Sequence, residues 1–297
     1  MQYLSVHEVA KKWEISERSV RNYCAKGRID GAVLTGKTWR IPKDAVKPER
    51  MNKKKMPAVT LLDILKEEKR KRYAGGIYHK TQIELTYHSN HIEGSRLTHD
   101  QTQYIFETNT IGLKDEVLNV DDIIETATHF RCIDMIIEHA NMALTEKFIQ
   151  KLHLILKNGT SDSRKDWFAV GAYKKLPNEV GGRETTPPQA VPQAMKNILR
   201  KYADKKNKTF EDILAFHVAF ERIHPFQDGN GRIGRLLMFK ECLRYHIVPF
   251  IITDSLKMFY YRGLSEWDHE KGCLMDTCLT VQDTYKRYLQ YFQIPFL

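Results

Sequence analysis

Between residues 59 and 292, apolar side chains recur at a spacing of about 3.6 in ten successive stretches: 59–73, 77–92, 100–108, 119–140, 145–157, 189–203, 210–223, 232–246, 256–269 and 273–292. That period gathers apolar residues on one face of a helix, and so many faces can be hidden only against one another. The expected fold is mostly α, a helical bundle. One stretch interrupts it, 168–188 (FAVGAYKKLPNEVGGRETTPP), whose β-prone residues around Pro177-Asn178 predict a short hairpin. No apolar run approaches the roughly 18 residues of a membrane span, and MQYLSVHEVAKKW lacks the basic-then-apolar layout of a signal peptide. Five cysteines, with no C-x-x-C pair, read as reduced thiols. The expectation is a cytoplasmic protein with no membrane partner.

Residues 1–45 follow a different pattern. Ser5 and Glu8 have capping-box spacing ahead of Val6, Val9, Ala10 and Trp13, and Ser16 opens a second stretch through Val20, Tyr23 and Cys24 that Gly27 stops. Ala32-Val33-Leu34, a turn at Thr35-Gly36 and Thr38-Trp39-Arg40-Ile41 then predict a β-hairpin ending at Pro42. This stretch resembles the winged helix-turn-helix domains of excisionase and MerR-like proteins. Residues 46–58 are polar and basic, as suits a linker.

Charge separates the two parts. Residues 1–57 hold nine Lys and five Arg against four Glu and two Asp, so most of the chain's net +10 lies there. Such concentration points to a phosphate-rich partner, duplex DNA. Arg18, Arg21 and Asn22 on the second helix would enter the major groove, with Lys37 or Arg40 of the hairpin on the backbone. Gly31–Thr38 also spells the P-loop string G-x-x-x-x-G-K-[ST]. A P-loop must open a helix, whereas Trp39-Arg40-Ile41-Pro42 is β-prone and then helix-breaking, so the string is a hairpin turn.

The most informative segment is His224-Pro225-Phe226-Gln227-Asp228-Gly229-Asn230-Gly231-Arg232-Ile233-Gly234-Arg235. An apolar helix ends at Ile223, Pro225 prevents its continuation, and another helix is expected to begin near Arg232. Gly229, Asn230 and Gly231 tolerate unusual backbone angles, so their N–H groups can converge into an anion nest at a helix N-terminus. Arg232 and Arg235 are three apart and can reach one pocket. Asp228 is a hard oxygen ligand of the kind Mg²⁺ uses beside phosphates. His224 can accept a proton near neutral pH. An anion cradle, cations, a metal ligand and a base are the parts of a phosphate-transfer site.

This segment fills every fixed position of the Fic motif, H-x-F-x-[DE]-G-N-G-R-x-x-R, and the chain resembles that family over roughly residues 60–297. The resemblance implies a Fic helical bundle with a β-hairpin flap, and a protein adenylyltransferase that moves AMP from ATP, with Mg²⁺, onto a hydroxyl of a target protein or of itself. His224 would deprotonate that hydroxyl, Phe226 anchor the loop, Asp228 hold Mg²⁺, and Gly229, Asn230 and Gly231 surround the α-phosphate. Arg232 and Arg235 would bind the β- and γ-phosphates. The hairpin at 173–184 corresponds to the flap that aligns the target, Val180-Gly181-Gly182 would close over the nucleotide, and Tyr260-Tyr261 would border the base. Asp268 stands where many relatives have Asn. Gly231 leaves room for AMP transfer, because relatives that transfer the terminal phosphate carry a bulkier basic residue there.

Ser89-Asn90-His91-Ile92-Glu93-Gly94 fits the family's inhibitory motif, [ST]-x-x-x-E-[GN], within a helix near 77–94. Ser89 and Glu93 share a helix face. The resemblance implies that Glu93 pairs with Arg235 and blocks the γ-phosphate in cis. His88, His91 and His99 invite a metal hypothesis, but no carboxylate or Cys completes a set in the sequence, so surface histidines are expected. Two other functions remain open: a DNA-binding regulator with a nucleotide-sensing domain, and removal of AMP from a modified protein. The target and the oligomeric state, a homodimer among the options, are not written in the sequence.

Overall fold

The computed structural model describes residues 2–36, 38–48, 59–112 and 117–296. The chain divides into two units, Met1–Ala58 and Val59–Leu297. Most of the expected linker, 49–58, lies outside the described residues, as does Lys37.

In the first unit, β1 (Tyr3–Ser5) leads directly into α1 (Val6–Trp13), followed by α2 (Glu17–Ala25), β2 (Val33–Thr35) and β3 (Thr38–Pro42). Ser5 and Glu8 form a reciprocal capping box at the start of α1, and Ser16 caps α2. Between the helices Glu14 turns left-handed, at φ 53°. The sheet order is β1-β3-β2, antiparallel throughout, with Tyr3 opposite Pro42 and Thr35 opposite Thr38. β1 goes beyond the sequence reading: a strand of three residues is too short to show its period. Val6, Val9, Trp13, Val20, Ile29 and Ile41 form this unit's own core. Thr38 opens strand β3, not a helix, so the P-loop string has no helix N-terminus to offer phosphate.

The second unit contains α3 (Leu61–Lys71), α4 (Ile77–Ile92), α5 (His99–Thr108), α6 (Val120–His139), α7 (Glu146–Lys157), α8 (Val191–Asp204), α9 (Phe210–Ile223), α10 (Asn230–Arg244), α11 (Lys257–Glu266) and α12 (Lys271–Tyr291). Between α7 and α8 lies a hairpin of two short strands, β4 (Glu179–Val180) and β5 (Arg183–Glu184). Gly181 and Gly182 turn it at φ 57° and 74°, the positive angles that such a tight turn requires. Thr60–Asp63, Thr98–Gln101 and Thr209–Asp212 capping boxes fix the starts of α3, α5 and α9.

Helix α10 is buried on all sides, among α4, α6, α7 and α9. Ile233, Leu236, Leu237, Phe239 and Leu243 join the main core, while Met238 and Cys242 face a second cluster with Tyr260 and Trp267. The helix begins at Asn230, two residues before the expected Arg232, because Gly229 at φ 80° starts it. The segment that precedes it therefore sits at the N-terminal end of the central helix. Among the described residues, no helix is long and apolar enough to cross a membrane.

Candidate active site

Helix α9 ends at His224, which adopts a left-handed conformation (φ 50°) and closes the helix with its N–H on the Phe220 carbonyl at 2.9 Å. The imidazole Nδ1 lies 3.3 Å from the Glu221 carbonyl oxygen, so Nδ1–H donates there and Nε2 is left as the basic nitrogen. Burial holds its pKa below the usual histidine value, and the nearby Lys174 ammonium works the same way. The ring is therefore neutral and able to accept a proton at pH 7.

Two inward side chains brace the loop. Asn230 accepts from the Phe226 N–H at 2.9 Å and donates to the Phe226 carbonyl at 2.8 Å, closing the turn with one amide. Phe226 is fully buried and stacks on His153, centroids 4.0 Å apart and nearly parallel. His153 Nδ1 accepts from Gly171 N at 2.9 Å, and Nε2 donates to the Asp228 carbonyl at 3.2 Å. Burial lowers the His153 pKa to about 4, so the ring keeps the single-proton form this arrangement needs.

Asp228 Oδ2 accepts from Lys157 Nζ at 2.7 Å and from Arg232 Nη2 at 3.2 Å. Glu125 bonds both of those cations. Burial would raise the Asp228 pKa, but Arg232 and Lys157 outweigh it and hold the carboxylate ionised. Arg232 is thus committed to two carboxylates, with only its Nε unpartnered among the described residues. Arg235 is 3% exposed in its side chain. It donates from Nε to Ser89 Oγ at 3.0 Å, and from Nη2 to the Ser89 carbonyl at 2.9 Å and Glu93 Oε1 at 2.7 Å. Its Nη1 has no partner among the described residues, although a methyl placed on Gly231 would come within 3.0 Å of it. A buried guanidinium donor beneath a glycine turn at a helix N-terminus suits an anion. Burial opposes ionisation of Glu93, but Arg235 and Arg232 more than offset it and lower its pKa.

The hairpin β4–β5 is tied to this loop at its base. Lys174 Nζ donates to Asn178 Oδ1 and Thr185 Oγ1, each at 2.6 Å, and its N–H donates to the Pro225 carbonyl at 2.9 Å. Asn178 Nδ2 reaches the Phe226 carbonyl at 3.0 Å. Val180 at the hairpin's end is exposed. Tyr260 is fully buried with its hydroxyl 2.6 Å from His217 Nε2, whereas Tyr261 is half-exposed beneath Lys257. Asp268 pairs with Arg222 at 3.0 Å. His88 and His99 both face Glu84, at 3.4 and 3.0 Å, and His91 faces Asp254. Glu84 stands between two of these partly exposed histidines. Glu84 and His88 share one face of α4, and the turn after the helix returns His99 beside them. No metal-capable group of three exists among the described residues.

Several contributors escaped the sequence reading: Glu125, Lys157, His153, Lys174, His217 and Glu221. Only the last two left a signal, since His217, Glu221 and His224 follow at i, i+4 and i+7 on one helix.

Two stretches of the chain match known families. Residues 143–242 match the Fic/DOC family, and residues 3–47 match a helix-turn-helix domain. The loop 224–235 lies inside the stretch that resembles Fic/DOC. It is similar to the protein adenylyltransferase Fic of Nematostella vectensis, 22% identical over 280 residues that cover 90% of this chain and 61% of that protein. The Drosophila willistoni protein of the same name is 29% identical over 60% of this chain and 35% of its own length. The chain thus spans between about a third and three-fifths of these curated relatives. Among solved structures, a Fic domain-containing signaling protein from Bacteroides thetaiotaomicron has a TM-score of 0.58 at 28% identity, covering 77% of this chain and 90% of that one. Fic-1 from C. elegans shares the fold, with a TM-score of 0.60 at 18% identity and coverage of 78% and 72%.

Proposed function

We propose that the Fic domain is a protein adenylyltransferase, transferring AMP from ATP to a hydroxyl of a target protein or of the chain itself, and that Glu93 restrains it in cis. The observation that carries the reading is the meeting, at the N-terminus of α10, of a neutral histidine, a glycine-braced turn and the buried guanidinium Nη1 of Arg235, unpartnered among the described residues. The target hydroxyl gives its proton to His224 Nε2 as its oxygen bonds the α-phosphorus, and pyrophosphate departs. The turn at 229–231 receives the α-phosphate, and Arg235 receives the γ-phosphate once Glu93 withdraws. The adenylyltransferase names of the relatives support this reaction class.

Asp228 fits a magnesium ion. One carboxylate oxygen is taken by Lys157 and Arg232, the side chain is still 47% exposed, and Mg²⁺ commonly uses one carboxylate with phosphates and waters. When bound, the ion would offset phosphate charge.

The first unit we assign to duplex DNA. Arg18, Arg21, Asn22 and Arg40 are all exposed, and Arg21 makes a surface pair with Glu17. Incubation with ATP labelled at either the α- or the γ-phosphate tests the chemistry. Protein-bound label from the α-position alone is expected; label from the γ-position would establish phosphorylation instead.

A further inference from the structure

Glu221 serves His224 through its backbone carbonyl, and its carboxyl lies between two histidine rings. It sits one turn before His224 on α9, with its side chain 14% exposed. Oε2 is 3.9 Å from His224 Nδ1, and Oε1 is 3.9 Å from His217 Nδ1. Oε1 is buried and has no hydrogen-bond partner among the described residues, and neither has His217 Nδ1. His217 is fixed from its other side, since Nε2 meets the buried Tyr260 hydroxyl. Gly234 makes this packing possible: a Cβ there would come 2.5 Å from Glu221 Oε1 and 2.6 Å from His217 Cε1. The glycine within Arg232-Ile233-Gly234-Arg235 thus marks the space the carboxyl and ring occupy.

We propose that Glu221 is a positioning residue for the base, a neutral carboxyl that donates its proton from Oε1 toward His217 Nδ1 and accepts the Nδ1–H of His224 on Oε2. The inference rests on His224 being the base of the proposed transfer. In the resting chain His224 Nδ1–H is held by the Glu221 backbone carbonyl. Once Nε2 takes the target's proton, the imidazolium needs a better acceptor on Nδ1, and a small rotation brings the carboxyl oxygen within reach. Such contacts commonly tighten only when substrate is bound. No proton leaves the network: the hydroxyl proton resides on Nε2, and Glu221 and His217 keep theirs. The charge environment agrees. Burial pushes the Glu221 pKa up to about 8, against the pull of Arg235 on α10 and with the push of Glu93 just after α4. Tyr260 on α11 also faces this carboxyl, and His224 further feels Lys174 and Asp228.

Glutamine can make both bonds of a neutral carboxyl, donating from its amide and accepting on its oxygen; leucine can make neither. The test compares Glu221→Gln and Glu221→Leu in full-length chain carrying Glu93→Gly, following AMP transfer and the ¹⁵N titration of His224. Glu221→Gln should retain kcat within about threefold and lose any inflection near pH 8. Glu221→Leu should lower kcat by about tenfold or more at unchanged KM for ATP, and lower the His224 pKa. Loss of kcat in Glu221→Gln equal to that in Glu221→Leu would overturn the neutral bridge, as would identical His224 titrations in all chains. The expected titrations in chains that transfer no AMP would uphold the bridge and overturn the transferase reading.

Discussion

His224 is held by backbone geometry before it is tuned by charge. A left-handed residue that ends a helix points its ring out of the helical stack, and its Nδ1–H returns to the turn it has just left. That hydrogen bond chooses the tautomer, and burial keeps the ring unprotonated. Deleting the ring should therefore damage chemistry and spare binding. In the Glu93→Gly background, His224→Ala is expected to lower AMP transfer by about 10²–10⁴-fold while ATP affinity, measured by calorimetry, stays within a few-fold of the parent. Near-parental transfer would remove His224 from the reaction. At this scale the sequence was generous, because the loop residues are consecutive and each type has a narrow set of uses. It hid the partners that arrive from elsewhere. Glu125 and Lys157 read as ordinary solvated charges, and only the fold shows them buried against Arg232 and Asp228. Asn230 reads as part of the anion nest through its N–H, and the sequence does not show that its side chain closes the loop.

The elements were legible in proportion to their length. Helices of ten to twenty residues announce themselves through their period and their caps. β1 spans three residues and β4 and β5 two each, so their periods cannot show, and the hairpin was visible through its turn chemistry. What positions that hairpin is a buried lysine. Burial lowers the Lys174 pKa to about 8, and its ammonium holds Asn178 and Thr185 from below. Lys174→Met should release the hairpin without unfolding the bundle. Hydrogen exchange is expected to accelerate in residues 176–186 and remain unchanged in α9 and α10. Uniform acceleration across both would show that Lys174 supports the core and not the hairpin.

For the whole molecule, charge and domain division point to two activities in one chain. On the proposed reading the second unit takes a nucleotide and a hydroxyl, while the first unit, with its excess of Lys and Arg, suits a phosphate backbone. Binding of duplex DNA by the full chain should weaken steeply as salt rises, and Arg18→Ala with Arg21→Ala should reduce the slope of log K against log salt by about one to two. No gel shift at micromolar protein and low salt would count against the assignment.

The Glu93–Arg235 pair is proposed to restrain an otherwise complete transferase. Intact-mass measurement after incubation with ATP and Mg²⁺ tests it most directly, using the parent, Glu93→Gly, Arg235→Ala and the double variant. Glu93→Gly should gain AMP adducts well beyond the parent, because Arg235 is then free to hold the γ-phosphate. Arg235→Ala should not, and the double variant should match Arg235→Ala, the non-additive outcome of two groups acting at one place. The contradictory result is a Glu93→Gly chain that gains no more AMP than the parent and can no longer remove AMP from a pre-modified target, which would make Glu93 part of a hydrolytic site.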